Sequence, residues 1–102
     1  MPVSFPVVVA AGTGDSAAVA ASNTLRLMGI HLAETAATPA TAEVTIRQGT
    51  VDSDPILVGP YNLAADGSTT LWFGDNGVSC PGGIFVDRVS GNTTVILFVA
   101  RG

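Results

Sequence analysis

Chemistry needs particular side chains within reach of one another, and this chain holds few of them. His31 is its one histidine and Cys80 its one cysteine. Catalysis by a serine or cysteine nucleophile requires a base, normally a histidine oriented by a carboxylate. His31 stands between Ile30 and Leu32 in a run of strand character. That makes it a half-exposed strand residue, and no motif sets a nucleophile beside it. Cys80 precedes Pro81 in a turn, with no cation close in sequence to lower its pKa, and reads as a small hydrophobe.

The other candidates are equally thin. Asp52, Asp54, Asp66 and Asp75 lie in turns, where aspartate caps backbone N–H groups or ligates calcium, but the EF-hand spacing is absent. A closed zinc site takes four ligands, and His31 with Cys80 is too small a set. Gly12-Thr13-Gly14 lacks the further glycines and the following helix of a nucleotide fingerprint, so it reads as a loop. Asn92-Thr93-Thr94 has the form of a glycosylation sequon and reads as a turn. The chain is therefore expected to be no enzyme, with no catalytic residue, metal or cofactor. Trp72 lies between Leu71 and Phe73, and core packing is its expected role. An exposed Tyr61 or Trp72 that stacks on a sugar is the competing one.

Composition narrows the class further. A chain of 102 residues makes one domain with one core. A domain of that size buries about 60–65% of its unfolded surface, so it leans on disulfides, a metal or oligomerisation. With one cysteine and no metal set, oligomerisation is what remains. Charged residues make up 12% of the chain, against about a quarter in ordinary soluble domains. Hydrophobic residues reach 47%, most of them alanine and valine, so the surface resembles an interface more than a solvated exterior. The net charge is −4, lysine is absent and the four arginines (Arg26, Arg47, Arg88, Arg101) are scattered, which excludes a phosphate-binding patch. No stretch approaches the roughly 20 apolar residues of a membrane-spanning helix. Met1-Pro2-Val3-Ser4-Phe5-Pro6 lacks the basic start of a secretory signal, so synthesis in a reducing cytoplasm is expected.

The elements that hold these residues read as short strands. Glu43-Val44-Thr45-Ile46-Arg47 alternates, with Val44 and Ile46 on one face. Strands are also expected at 7–11, 25–34, 56–63, 69–73, 84–89 and 94–100, with turns at Asp52–Pro55, Asp66-Gly67, Asp75–Gly77, Cys80–Gly83 and Gly91-Asn92. Gly29 marks a bulge or a close approach, and Pro60 an edge strand or a bulge. Residues 17–21 tolerate a helical turn. About seven or eight short strands predict an all-β, antiparallel β-sandwich that is jelly-roll-like. Residues 1–11 form an extended N-terminal arm or first strand, held out of helix by Pro2 and Pro6, and 12–102 the sandwich domain. The last strand is apolar on both faces: Val95, Leu97 and Val99 point one way, Ile96, Phe98 and Ala100 the other. One face of a two-layer sandwich meets solvent, so the outer set needs a cover, either a neighbouring subunit or the chain's own loops or arm. Ile96 and Phe98, with Val7 and Val9 on the arm, are the expected interface residues.

Four stretches carry a resemblance. They are Ile30-His31-Leu32-Ala33-Glu34-Thr35-Ala36-Ala37-Thr38-Pro39-Ala40, Val44-Thr45-Ile46-Arg47-Gln48-Gly49-Thr50, Leu71-Trp72-Phe73-Gly74-Asp75-Asn76-Gly77-Val78 and Gly82-Gly83-Ile84-Phe85-Val86-Asp87-Arg88-Val89-Ser90-Gly91. Over about residues 20 to 100 the pattern resembles small β-sandwich proteins encoded among the structural genes of tailed phages, thought to be head decoration or other virion components. The resemblance implies a capsid decoration (cement) protein in the virion, made in the host cytoplasm. Its implied partners are the major capsid protein or other virion subunits, and its implied state is a homo-oligomer, a trimer as first guess. It implies no nucleic acid, no membrane and no active-site residues. A tail or fibre component and a carbohydrate-binding module are the alternatives.

Overall fold

A computed structural model describes residues 5–101 of the chain, and among them every regular element is a strand. These are β1 (Phe5–Gly12), β2 (Ser16–Val19), β3 (Leu25–Glu34), β4 (Ala42–Gln48), β5 (Ile56–Leu63), β6 (Ser68–Trp72), β7 (Val78–Ser79), β8 (Ile84–Ser90) and β9 (Thr93–Arg101). They form two antiparallel sheets. The first has the order β1-β9-β3-β6 with β7 also paired to β3, and the second the order β2-β8-β4-β5. With the two-residue β7 set aside, β1–β9, β2–β8, β3–β6 and β4–β5 are the rungs of one ribbon. It rolls up so that β9 meets β3 and β8 meets β4. That is the jelly-roll-like sandwich the turn spacing predicts.

Alternation sets the core. Val44 and Ile46 of β4, Ile84 and Val86 of β8, and Val95, Leu97 and Val99 of β9 are fully buried between the sheets. Each such side chain stabilises the fold by about 1.5–3 kcal/mol relative to an exposed one. In β3 the alternation changes phase: Leu25 and Leu27 point inward, and then Ile30 and Leu32 do. The register explains it. Leu27 pairs with Val99 and Gly29 with Phe98, so Met28 is an extra residue, a β-bulge. Gly29 beside it is also a close approach. A Cβ there would stand 2.6 Å from Trp72 Cε3 and 2.7 Å from the Leu71 carbonyl oxygen.

The structure decides one point that the sequence left open. Residues 17–21 hold no helical turn: β2 pairs Ala17 with Phe85 and seats Val19 in the core, giving β8 a second partner strand. The described residues hold nine strands against about seven or eight expected, β2 and β7 lying outside the ranges read as strands. At Pro60 an edge strand or a bulge was expected, and the strand shows both. β5 is the outermost strand of its sheet, its register against β4 shifts twice, and the Gly59–Pro60 peptide is cis. The first part of the expected arm, Met1–Ser4 with Pro2, lies outside the described residues. From Phe5 onward the chain is a strand, paired with β9 from Phe5 opposite Val99 to Gly12 opposite Thr93.

Candidate functional site

The candidate surface is the outer face of the first sheet. Residues directly opposite each other in an antiparallel pair share a face, so the register places every side chain. Two rows cross all four strands on the outside. One runs Pro6, Phe98, Gly29, Trp72, and the next runs Val8, Ile96, His31, Thr70. Ile96 and Phe98 are half-buried on this face, as the alternation of β9 requires.

Val7 and Val9 do not join them. Val7 lies opposite Leu97 and Val9 opposite Val95, both core residues, so these valines pack inward against the core. Pro6 and Val8 take the outer places, and Val8 is 61% exposed. Alternation in β1 separates the two sets but does not say which is inside.

Trp72 is likewise corrected. Leu71 and Phe73 pack against the core, and Trp72 points outward, 56% exposed. Its ring covers Gly29, where the absent side chain leaves room, and meets Phe98 at 6.5 Å between centroids, tilted by 55°. Such tilted aromatic pairs contribute about 0.5–1.5 kcal/mol beyond their area. His31 sits among these residues with Ile30 and Leu32 buried on its far side, and its Nδ1 lies 2.7 Å from Thr70 Oγ1. None of the eight acids occupies either row. On the same sheet Arg26 is engaged at the margin, donating to the Asn76 carbonyl at 2.9 Å.

Two charged residues that the sequence did not single out fasten the sandwich. Arg88 follows Ile84 and Val86 in alternation and so falls on the inner side, opposite Val44. Its guanidinium donates to the carbonyls of Gly14, Val9 and Ala10, tying β8 to the end of β1, and burial lowers its pKa. Its backbone N–H donates to Asp15 Oδ1 at 2.9 Å. Glu34 ends β3 and accepts the backbone N–H of Asp66 (2.9 Å) and of Ala36 (2.7 Å). These two bonds, the one from Asp66 foremost, hold its carboxyl below the ordinary value of 4.5. Inward Arg88 and an acid closing an apolar strand are the signals that would have found them.

The remaining candidates carry no shared chemistry. Cys80 is fully buried in the core, and burial pushes its thiol up to about 11. Asp54 accepts the N–H groups of Thr50 and Val51, a turn cap. Among the described residues no three His, Cys, Asp or Glu side chains converge as a metal site would require. Tyr61 packs half-buried against the core from the second sheet, so it and Trp72 cannot form one platform. An open depression of about 440 Å³ between Thr41–Glu43, Asn62–Ala64 and Ser90 holds one ionisable group, Glu43.

No protein family matches the chain, and no curated protein matches it. Among solved structures, a chain of the acidic stable capsid structure of Helicobacter pylori bacteriophage KHP30 is similar in fold. The TM-score is 0.57 over 98% of this chain and 88% of that one, at 11% sequence identity. At that identity the likeness is one of fold.

Proposed function

We propose that this protein is a non-enzymatic structural component of a phage virion, and within it a capsid decoration protein. One observation carries the reading: the outer face of the first sheet is an apolar field of Pro6, Val8, Ile96, Phe98 and Trp72 without an acid in it. Faces of this kind are buried against other subunits. The phage capsid chain of like fold supports the same reading, as does the resemblance in turn and strand pattern. A decoration subunit acts by covering joints between shell subunits. At about 25 cal/mol per Å² of apolar surface, a modest footprint repeated around a shell adds up. The partners are then the major capsid protein or other virion subunits, together with copies of the chain itself.

The test is the location of the chain in intact particles. A head map with two-layer sandwiches seated on the shell by the β1-β9-β3-β6 face supports the proposal. Sandwich density confined to the tail replaces it with the tail or fibre reading. One observation favours a different class: Trp72 is exposed beside His31 and Thr70, a ring and two polar groups of the kind a sugar contacts. Glycan binding that Trp72→Ala abolishes in a folded protein would establish a carbohydrate-binding module instead.

A further inference from the structure

The edge of the first sheet is distinct from its outer face. Among the described residues β1 has β9 on one side and no hydrogen-bonded strand on the other. Natural edge strands are short, or guarded by charges, prolines or bulges, because their free N–H and C=O groups recruit another strand. β1 is eight residues long, and no charged residue occurs before Asp15. Its one proline is Pro6, and its bulge lies beyond Val9. The guard is light where the strand is most apolar.

We propose that β1 pairs along this edge with β1 of a second copy, antiparallel about a two-fold axis at Val8. The proposal rests on the reading of the chain as an assembly component and names its partner. Alternate residues of a strand direct their backbone groups to one neighbour and then to the other. Pro6 has no N–H to give β9, so it belongs to the set that faces away, with Val8; Ala10 stands where the bulge begins and has no partner on β9. In a pair centred on Val8, the two Val8 residues exchange two hydrogen bonds, and Pro6 of each copy faces Ala10 of the other. Ala10 N–H then donates to the Pro6 carbonyl. The reverse bond cannot form, because Pro6 has no donor, and none is missed, because the Ala10 carbonyl already accepts from Arg88. A shift of two residues would set Pro6 against the carbonyl of Val8 and leave it without a donor.

Charge restricts where two copies can meet. Each copy carries a net charge of −4, so two copies repel over most of their surface. The uncharged segment ahead of Asp15 is where they approach at least cost. The pair is isologous, so it builds a dimer, or a larger assembly made of dimers, where the resemblance implied a trimer.

Val8→Cys tests it. In a hydrogen-bonded pair the two Cα atoms lie about 5.5 Å apart, within disulfide range. Cys80 is buried and does not compete. Val51→Cys, at an exposed turn residue, is the control. Under mild oxidation Val8→Cys is expected to give a covalent dimer at least about tenfold faster than the control, through effective concentration. Light scattering of the wild type should give twice the 10.2 kDa of one chain, or a multiple of that. Equal cross-linking of the two variants would overturn edge pairing, as would a wild-type monomer. If the wild type is oligomeric and Ile96→Asp splits it while Val8→Cys links no faster than Val51→Cys, the edge proposal fails and the outer-face reading stands.

Discussion

The two sheets bury the same kind of inner face and finish their outer faces differently. On the second sheet the outer positions of β4 are Glu43, Thr45 and Arg47, and Asp87 stands opposite Thr45. Arg47 Nε pairs with Asp87 Oδ2 at 2.9 Å, and its Nη1 donates to the Asp54 carbonyl at 2.9 Å. The polar groups of that face satisfy one another, although Ile56, opposite Arg47, is also exposed there. On the first sheet the equivalent positions hold Val8, Ile96, Phe98 and Trp72, with His31 and Thr70 bonded to each other. A chain with few charges has placed its sheet-face ion pair on one side and left the other apolar. The difference is one of charge: among the described residues an ion pair stands on the second outer face, beside exposed Ile56 and Val89, and the first outer face has none.

The contrast has an internal counterpart within β9, where the largest effect is expected. Leu97 is fully buried, so Leu97→Asp places an unpaired charge in the core, at a cost of several kcal/mol. A marginal domain of this size should unfold, seen as loss of its circular dichroism and of any cooperative melt. Arg88→Met comes next. It removes the donor shared by three carbonyls of the β1–β2 corner, and a loss of about 2–3 kcal/mol is expected in urea unfolding, with the outer-face rows intact. A loss under about 0.5 kcal/mol would show that the corner holds without it.

A smaller effect is set by pH. The folded pKa of Glu34 is depressed, so its bonds to Asp66 and Ala36 stabilise the fold above the ordinary value of 4.5. That contribution is lost as pH falls through the lower folded value. Glu34→Gln should flatten this part of the acid limb in pH-dependent melting. An unchanged acid limb would refute the role given to Glu34.

Legibility in the sequence followed the range of the forces involved. Strand alternation is local, so β4 and the two faces of β9 were readable residue by residue. Pro60 was readable because proline fixes φ and has no N–H, and Gly29 because a strand position without a side chain marks a bulge or a close approach. Trp72, Val7 and Val9 were misplaced because alternation gives two sets and only the partner strand decides which is inside. Gly29 marked the bulge or close approach, but that Met28 is the extra residue and the alternation changes phase there needed the register of β9. Ser16–Val19 looked helix-tolerant because its alanines carry little preference, and pairing with β8 decided it. Arg88, and Glu34 in its bond from Asp66, act on backbone groups distant in sequence, so their position in a strand hints at them but their partners cannot be read.

The central claim is that the outer face of the first sheet is buried in an assembly, and matched charges on the two outer faces test it most directly. Ile96→Asp and Asn62→Asp each place one carboxylate on an outer face, the first on the apolar sheet and the second on an exposed position of the other. Both proteins should melt cooperatively. Their retention on particles, with mass in solution by light scattering, is then compared with the wild type. The account predicts that Ile96→Asp is folded, lost from the particle and smaller in solution, while Asn62→Asp behaves as the wild type. A folded Ile96→Asp protein with wild-type mass and wild-type retention would contradict it.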